Sequence, residues 1–281
     1  MQTPVVFSAP TNQPDDRILT ETRVVAALVI PFLVLAFLIL YLYPQESGRR
    51  FAWQFRPDLM AMYVGAGYLG GAYLFAHTLF GRVWHRVTNG FLPVTAFATS
   101  MLLVTVLHWD QMDIRHFPFQ LWLILYAVTP VLVPVIWLRN RPQDPRLLAP
   151  GDKRVPRLSR QIMGLMGLVF ILLAVAGFLF PNWLIEVWVW PLAARSARLL
   201  SGWHMLLGVG GLVISREERW SGWRVPLESI GLWQLLVLVA IFMQPEDFHS
   251  GTAVNWYTAS VIIILAGMVG IYLFMARQPK V

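Results

Sequence analysis

Runs of apolar residues alternate along the chain with short polar connections, and the runs have nearly one length. A hydrocarbon core of about 30 Å takes about 20 residues of helix to cross. Eight stretches meet that requirement: Val24–Tyr43, Leu59–Phe80, Phe91–Leu107, Phe119–Leu138, Gln161–Phe180, Leu192–Ile214, Val225–Met243 and Val254–Met275. The first is longer than a signal-peptide core and runs into YPQESG, so it is expected to stay as a span, kinked at Pro31. The sixth is the least regular. Before it, Pro181–Pro191 (PNWLIEVWVWP) reads as a short interfacial helix, with Arg195 and Arg198 snorkelling to the outer boundary. The pattern predicts an all-α, polytopic transmembrane helix bundle.

The connections set orientation. Loop Arg139–Arg160 carries seven Lys/Arg against Asp144 and Asp152, and short basic loops stay on the cytoplasmic side. With this loop inside, sixteen Lys/Arg fall on the cytoplasmic side and six outside. Both termini are then cytoplasmic, in a cytoplasmic membrane. Trp84, Trp137, Trp220 and Trp223 are expected at the inner boundary, and Trp53, Trp109, Trp183, Trp188, Trp190 and Trp256 at the outer one.

Composition agrees with lipid as solvent: 57% of the 281 residues are hydrophobic and 13% are charged, against about 25% charged in soluble domains. The net charge of +7 does not point to nucleic acid, because the basic residues sit in loops between spans. With no cysteine, disulfides, thiolate chemistry and cysteine-held metals are excluded.

Matches recur at one spacing. Arg23, Tyr43 and Pro44 correspond to Arg160, Phe180 and Pro181 at 137 residues. Trp53, Phe55, Gly67 and Tyr68 correspond to Trp188, Trp190, Gly202 and Trp203 at 135, and Trp84, Asp110 and Arg141 to Trp220, Glu246 and Arg277 at 136. The shifts fall between spans, where insertions are tolerated. An even number of crossings gives both copies one orientation, hence two parallel four-helix repeats. The expected organisation is a mobile cytoplasmic tail (1–22), a first membrane unit (23–141), a basic linker (142–159) and a second unit (160–281).

FAWQFRPDLMAMYVGAGYLGGAYLF (Phe51–Phe75), LLVTVLHWD (Leu102–Asp110) and LWLILYAVTP (Leu121–Pro130) resemble segments of a group of uncharacterised bacterial multi-pass membrane proteins. The resemblance covers roughly the first half. It implies a bacterial cytoplasmic membrane and carries over no functional residue.

The candidate chemistry is thin. GAGYLGG (Gly65–Gly71) lies within a span with no strand before it, so it reads as helix packing and not as a nucleotide loop. Gly67 and Gly71, with Gly202, Gly208 and Gly211 in the sixth span, are the expected close-contact positions. The outer connections offer His108, Asp110, Asp113 and His116, and Glu246, Asp247 and His249. Imidazoles and carboxylates suit a divalent metal or acid–base work if the two loops converge, and solvated loop residues if they do not. His77 and His204 lie inside spans, where a pair at one depth could hold haem, but their depths match badly. Glu228 is placed to pair with Arg224 at i, i+4. No acidic residue lies near mid-membrane, which argues against a pump built on a buried carboxylate.

Three functions stay open. The first is a non-enzymatic subunit or scaffold of a membrane assembly, partnered by lipid and by other subunits or a second copy. The second is a carrier of a small molecule or lipid, with a polar cavity between spans 2 and 6. The third is an outer-face metal-dependent enzyme in which His108, Asp110 and Glu246 converge.

Overall fold

A backbone N–H or C=O left unpaired in hydrocarbon costs several kcal/mol, so an apolar run that crosses a bilayer closes its hydrogen bonds within itself. The computed structural model describes residues 14–279. Its helices are α1 (Thr20–Leu42), α2 (Ser47–Arg50), α3 (Asp58–Phe80), α4 (Phe91–Leu107), α5 (Phe117–Asn140), α6 (Arg157–Leu179), α7 (Pro181–Val187), α8 (Ala194–Ile214), α9 (Trp220–Met243) and α10 (Gly251–Arg277). Eight of these, all but α2 and α7, are long and apolar enough to cross a membrane. The chain is an all-α, multi-pass membrane bundle. Each apolar run becomes one helix, and α7 forms at the expected short segment, with Pro181 in its first turn, where its missing N–H costs nothing.

Helices α3 and α8 form the axis. They are buried over 78% and 56% of their spans, against 17% for α6 and 11% for α10. The contacts pair off between the halves. Helix α1 packs on α3 as α6 packs on α8; α3 packs on α9 as α8 packs on α4; α4 packs on α5 as α9 packs on α10. One pairing is unequal: α1 touches α5, while α6 and α10 barely meet.

Glycine decides how closely the axis is approached. A Cβ on Gly167 would stand 2.7 Å from Leu212 N and 2.8 Å from Gly208 O, and one on Gly211 would stand 2.8 Å from Gly167 Cα. Helices α6 and α8 therefore meet backbone to backbone. On α3 the backbone is approached at Gly65, whose Cβ would lie 3.0 Å from Tyr41 N of α1. The expected contact set holds for Gly208 and Gly211. Gly67 and Gly202 are close contacts too, but against side chains and not backbone, Gly67 with the Trp203 ring and Gly202 with Met101 and Ser100 of α4; Gly71 is the exception, meeting only Leu33 at 3.4 Å.

Two further expectations change. The mobile tail at 1–22 fails over its described part. Asp16 N donates to Gln143 O at 2.9 Å, Leu19 N to Asn140 Oδ1 at 2.9 Å, and α1 already starts at Thr20; residues 1–13 lie outside the described residues. Several tryptophans expected as interfacial anchors are core residues instead: Trp84, Trp190 and Trp223 are fully buried and Trp53 nearly so, whereas Trp109, Trp183 and Trp256 are exposed. Apolar solvent removes the usual reason to tell an anchor from a core ring by hydropathy alone.

Replacing Gly167 by Leu should force α6 off α8 and destabilise the protein by about 1–3 kcal/mol, the usual cost of overpacking. Gly270→Leu, where a Cβ meets nothing within 4 Å, should leave thermal unfolding in detergent unchanged; equal melting temperatures for the two variants would refute the close α6–α8 contact.

Candidate functional site

Between the halves lies a cavity of about 220 Å³, partly enclosed, walled by α3 and α4 on one side and α6, α8, α9 and α10 on the other. Its floor is aromatic. Trp203 of α8 packs at a tilt against Trp233 of α9 and Phe97 of α4, with ring centroids 4.8 and 4.2 Å apart. The sequence reason is small residues on the axis: Gly67, Gly70 and Gly71 on α3 and Gly210 and Gly211 on α8 line the space. Where α6 and α10 fail to meet, the wall is Met163 and Met166 of α6 and Ile264 and Met268 of α10. This is the side turned to lipid, and Met166 is 44% exposed there. A cavity was expected between spans 2 and 6 if the protein is a carrier, but a polar one; this one is apolar.

At the end carrying loop Arg139–Arg160, a hydrogen-bonded chain joins four segments. Asp16 accepts from His85 N at 3.0 Å and pairs through Oδ2 with His85 Nδ1. His85 Nε2 lies 2.7 Å from Ser221 Oγ, and Ser221 donates its hydroxyl hydrogen to Asp152 Oδ2. Asp152 Oδ1 also accepts Ser221 N at 3.2 Å. A serine hydroxyl has one hydrogen, and here Asp152 takes it. Aspartate, histidine and serine in this order suggest a nucleophile, but Asp152 occupies the serine hydrogen and a carboxylate stands where negative charge would develop. The neighbouring Gly222 N–H is spent on Arg219 O. With Ser221 N also engaged, on Asp152, the backbone beside the hydroxyl offers no oxyanion donor among the described residues, and the arrangement reads as a clamp. Asp16 takes a φ of 56°, which Asp tolerates better than most residues.

Beside the clamp, Arg219 is 6% exposed. It donates to Asp144 at 2.7 and 3.0 Å and to Glu217 at 2.8 and 2.7 Å. Burial pushes the Asp144 carboxyl up, but the Arg219 hydrogen bonds and charge and the Arg146 N–H outweigh it, holding Asp144 below the usual carboxylate range. Two short backbone bridges accompany these groups, Arg17 with Val83 and Arg154 with Arg219. Reading the chain for apolar periodicity missed Asp16, His85, Asp152 and Ser221. The repeat spacing could have found them, since both the Asp pair and the His85–Ser221 pair lie 136 apart.

At the opposite end the metal candidates do not converge. Among the described residues, no three His, Asp or Glu side chains gather into a ligand set. His108 Nε2 accepts from Arg198 Nη1 at 3.0 Å; burial, then Arg198 and Arg195, push its pKa down and favour the neutral ring. His116 Nε2 pairs with Phe51 O at 2.8 Å, and Asp113 accepts from Arg115 N at 2.9 Å. Asp247 accepts Leu59 N at 2.7 Å and so caps α3 from the α9–α10 connection. Its carboxyl is pushed up by burial, with Asp58 and Glu246 adding to the shift. Asp110 and Glu246 are exposed, and His249 is held through its backbone N–H on Val189 O at 3.1 Å. Arg195 sits 5.0 Å over the Trp53 ring, so it is held by a core tryptophan and does not reach freely outward.

The intramembrane histidines are likewise separate. His77 is exposed in the last turn of α3 beside Tyr73, while His204 is buried mid-way along α8 against Phe170 and Trp188. They cannot be paired axial ligands. Glu228 touches Arg224 at 3.5 Å, as expected, but its closer partners are Tyr73 and Tyr272, each donating at 2.7 Å and joining α3, α9 and α10. Comparisons with known protein families, curated proteins and solved structures give no match.

A carboxyl held low in the fold gives stability that is complete above the unfolded pKa and is lost as pH falls through the folded one. Acidification should therefore loosen the 139–160 loop. Asp144→Asn should remove part of that acid sensitivity and cost about 1–3 kcal/mol near neutral pH. Melting curves of both proteins across the acid range check this; parallel curves would refute the role of Asp144.

Proposed function

We propose that this chain is a two-unit carrier of a lipid-like molecule in a bacterial cytoplasmic membrane, with its basic end in the cytoplasm. The observation that carries the reading is the apolar chamber, which is walled by both halves and reaches the lipid-facing side where α6 and α10 part. A scaffold subunit has no use for such a space, and an outer-face metal enzyme lacks its ligand set among the described residues.

The two units are copies of one another on this reading. Support comes from contacts that correspond at the sequence spacing. Asp16 with His85 corresponds to Asp152 with Ser221, and the bridge Arg17–Val83 to Arg154–Arg219. Trp84 N donates to Asp16 O at 2.7 Å, and Trp220 N donates at 2.9 Å to the carbonyl of Lys153, the residue after Asp152. Units of one orientation meet about an axis along the membrane normal, and carriers built this way bind between the repeats. The excess of Lys/Arg at the end holding the clamp supports its cytoplasmic placement.

A side chain at Gly210 should fill the chamber without disturbing the fold, because its Cβ meets only Pro93, at 3.5 Å. Native mass spectrometry of the wild type should retain a lipid adduct that Gly210→Leu lacks; a bare wild-type protein would count against the carrier. The absence of cysteine makes orientation directly measurable. In intact cells a membrane-impermeant thiol reagent should label Asp110→Cys and spare Leu147→Cys, both positions being exposed. The reverse pattern would overturn the placement.

A further inference from the structure

The chamber wall carries no ionised side chain; every residue on it is apolar, small, or neutral and polar. Its neutral polar groups are mostly spoken for. Ser229 Oγ donates to Gly70 O at 2.7 Å, Asn89 Nδ2 to Gly222 O at 3.1 Å, and the Tyr68 hydroxyl pairs with that of Tyr126 at 2.9 Å. The Trp203 indole N–H is sealed beneath the ring surface without a partner. Gln234 differs. It is 6% exposed, stands on the wall, and its amide makes no hydrogen bond among the described residues. An amide offers two N–H donors and a carbonyl acceptor. Its amide is not among the sealed polar atoms that lack a partner, so it is reached from the chamber, and an amide left unpaired within a membrane span favours a ligand that can bond to it. Water is a poor candidate, because an ordered water needs roughly two to four polar partners and the wall offers few to spare.

We propose that the chamber takes a neutral lipid whose uncharged oxygen head group, an alcohol or a carbonyl, hydrogen-bonds to the Gln234 amide while its hydrocarbon lies along the glycine and methionine wall. This rests on the carrier reading and names the class of molecule it carries. An ionised lipid is disfavoured because nothing on the wall compensates its charge. A plain hydrocarbon leaves Gln234 unpaired. A head group with an oxygen accepts from the amide N–H, and an alcohol can also donate to the amide oxygen.

The test uses the full chain purified in detergent and four probes of one chain length: dodecanol, 2-dodecanone, dodecane and, at about pH 8 where it is ionised, dodecanoate. The wild type should bind the alcohol and the ketone about tenfold more tightly than the alkane, the factor one hydrogen bond supplies, and dodecanoate more weakly than either. Gln234→Leu, or the isosteric Gln234→Met should the first not fold, should bind all three neutral probes alike. Gly210→Leu should bind none. Equal wild-type affinity for alcohol, ketone and alkane, or a preference that survives at both Gln234 variants, overturns the head-group assignment while leaving the chamber in place. If the wild type binds no probe at all, the carrier reading falls with it. Should neither Gln234 variant fold, the ranking of the four probes by the wild type decides alone.

Discussion

Inside hydrocarbon, one apolar helix gains nothing by leaving lipid for another apolar helix. What holds spans together is how near two backbones can come, and how many polar groups find partners when they do. In this bundle the first condition is met at Gly167 against Gly208 and Gly211, and at Gly65 against Tyr41. These contacts seat α6 on α8 and α1 on α3, the two tightest pairs in the fold. Once they are formed, α3 and α8 become the axis, and the remaining helices are placed by what those two still present. The chamber is a by-product of the same rule. Glycines that meet a backbone close a contact, and those that meet little, Gly71 and Gly210, leave space.

Where the helices emerge, charge and hydrogen bonding replace close approach. The basic end is held by pairs that would be weak if solvated and gain strength from burial. Arg219 lies between Asp144 and Glu217 with little solvent to screen it, so removing either carboxylate would forfeit charge-assisted hydrogen bonds that burial strengthens. His85 reaches across from the first half to Ser221 of the second. The two clamps are not identical: an imidazole stands on Asp16 where a hydroxyl stands on Asp152. Only the imidazole is long enough, and has a second nitrogen free, to span the two. On the proposed repeat, the join between halves depends on a difference between positions that otherwise correspond.

The architecture was legible because lipid leaves a strong trace in sequence. A run long enough to cross has few alternatives to helix, and all eight expected runs became helices with ends a few residues away. Ends moved where a polar contact extended the helix, as at Asn140, which binds Arg17, Leu19 and Thr22. Interior packing was less legible. A glycine in a GxxxG spacing shows that a face is small, but not which neighbour it meets, so Gly71 was read as a contact and Gly167 was passed over. Tryptophan was misread for a related reason: the preference of an indole for the headgroup level does not exclude burial of Trp84, Trp190 or Trp223 against other rings. Ligand-type residues in the outer loops left a cluster open, conditional on the loops converging; among the described residues none gathers, and polar groups there are used nearer at hand, His116 on Phe51 and Asp247 on Leu59. Gln234 carried no local signal at all. Its meaning comes from what its neighbours have already bonded.

Departure from symmetry is where the proposed use of the fold resides. Two equivalent units in full contact would close the same way on both sides. The first unit does close, with α1 against α5, and α5 itself is fastened to the tail through Asn140. In the second unit α10 is fastened at its basic end by Lys153 Nζ on the Met275 and Ala276 carbonyls and by Tyr272 on Glu228, and at its other end by Tyr257 against Trp190. Between those ends it leaves α6 uncovered, and three of the facing side chains, Met163, Met166 and Met268, are unbranched methionines, which adapt to varied shapes at small cost. A gap of that kind opens onto acyl chains, not water. A molecule that reaches the chamber through it needs no hydration shell removed, and this favours a hydrocarbon-bearing ligand over a polar solute. The chain is thus closed where its polar clamps lie and open where lipid is the solvent, and on the proposed reading the Gln234 amide behind that opening is the group that tells one lipid from another.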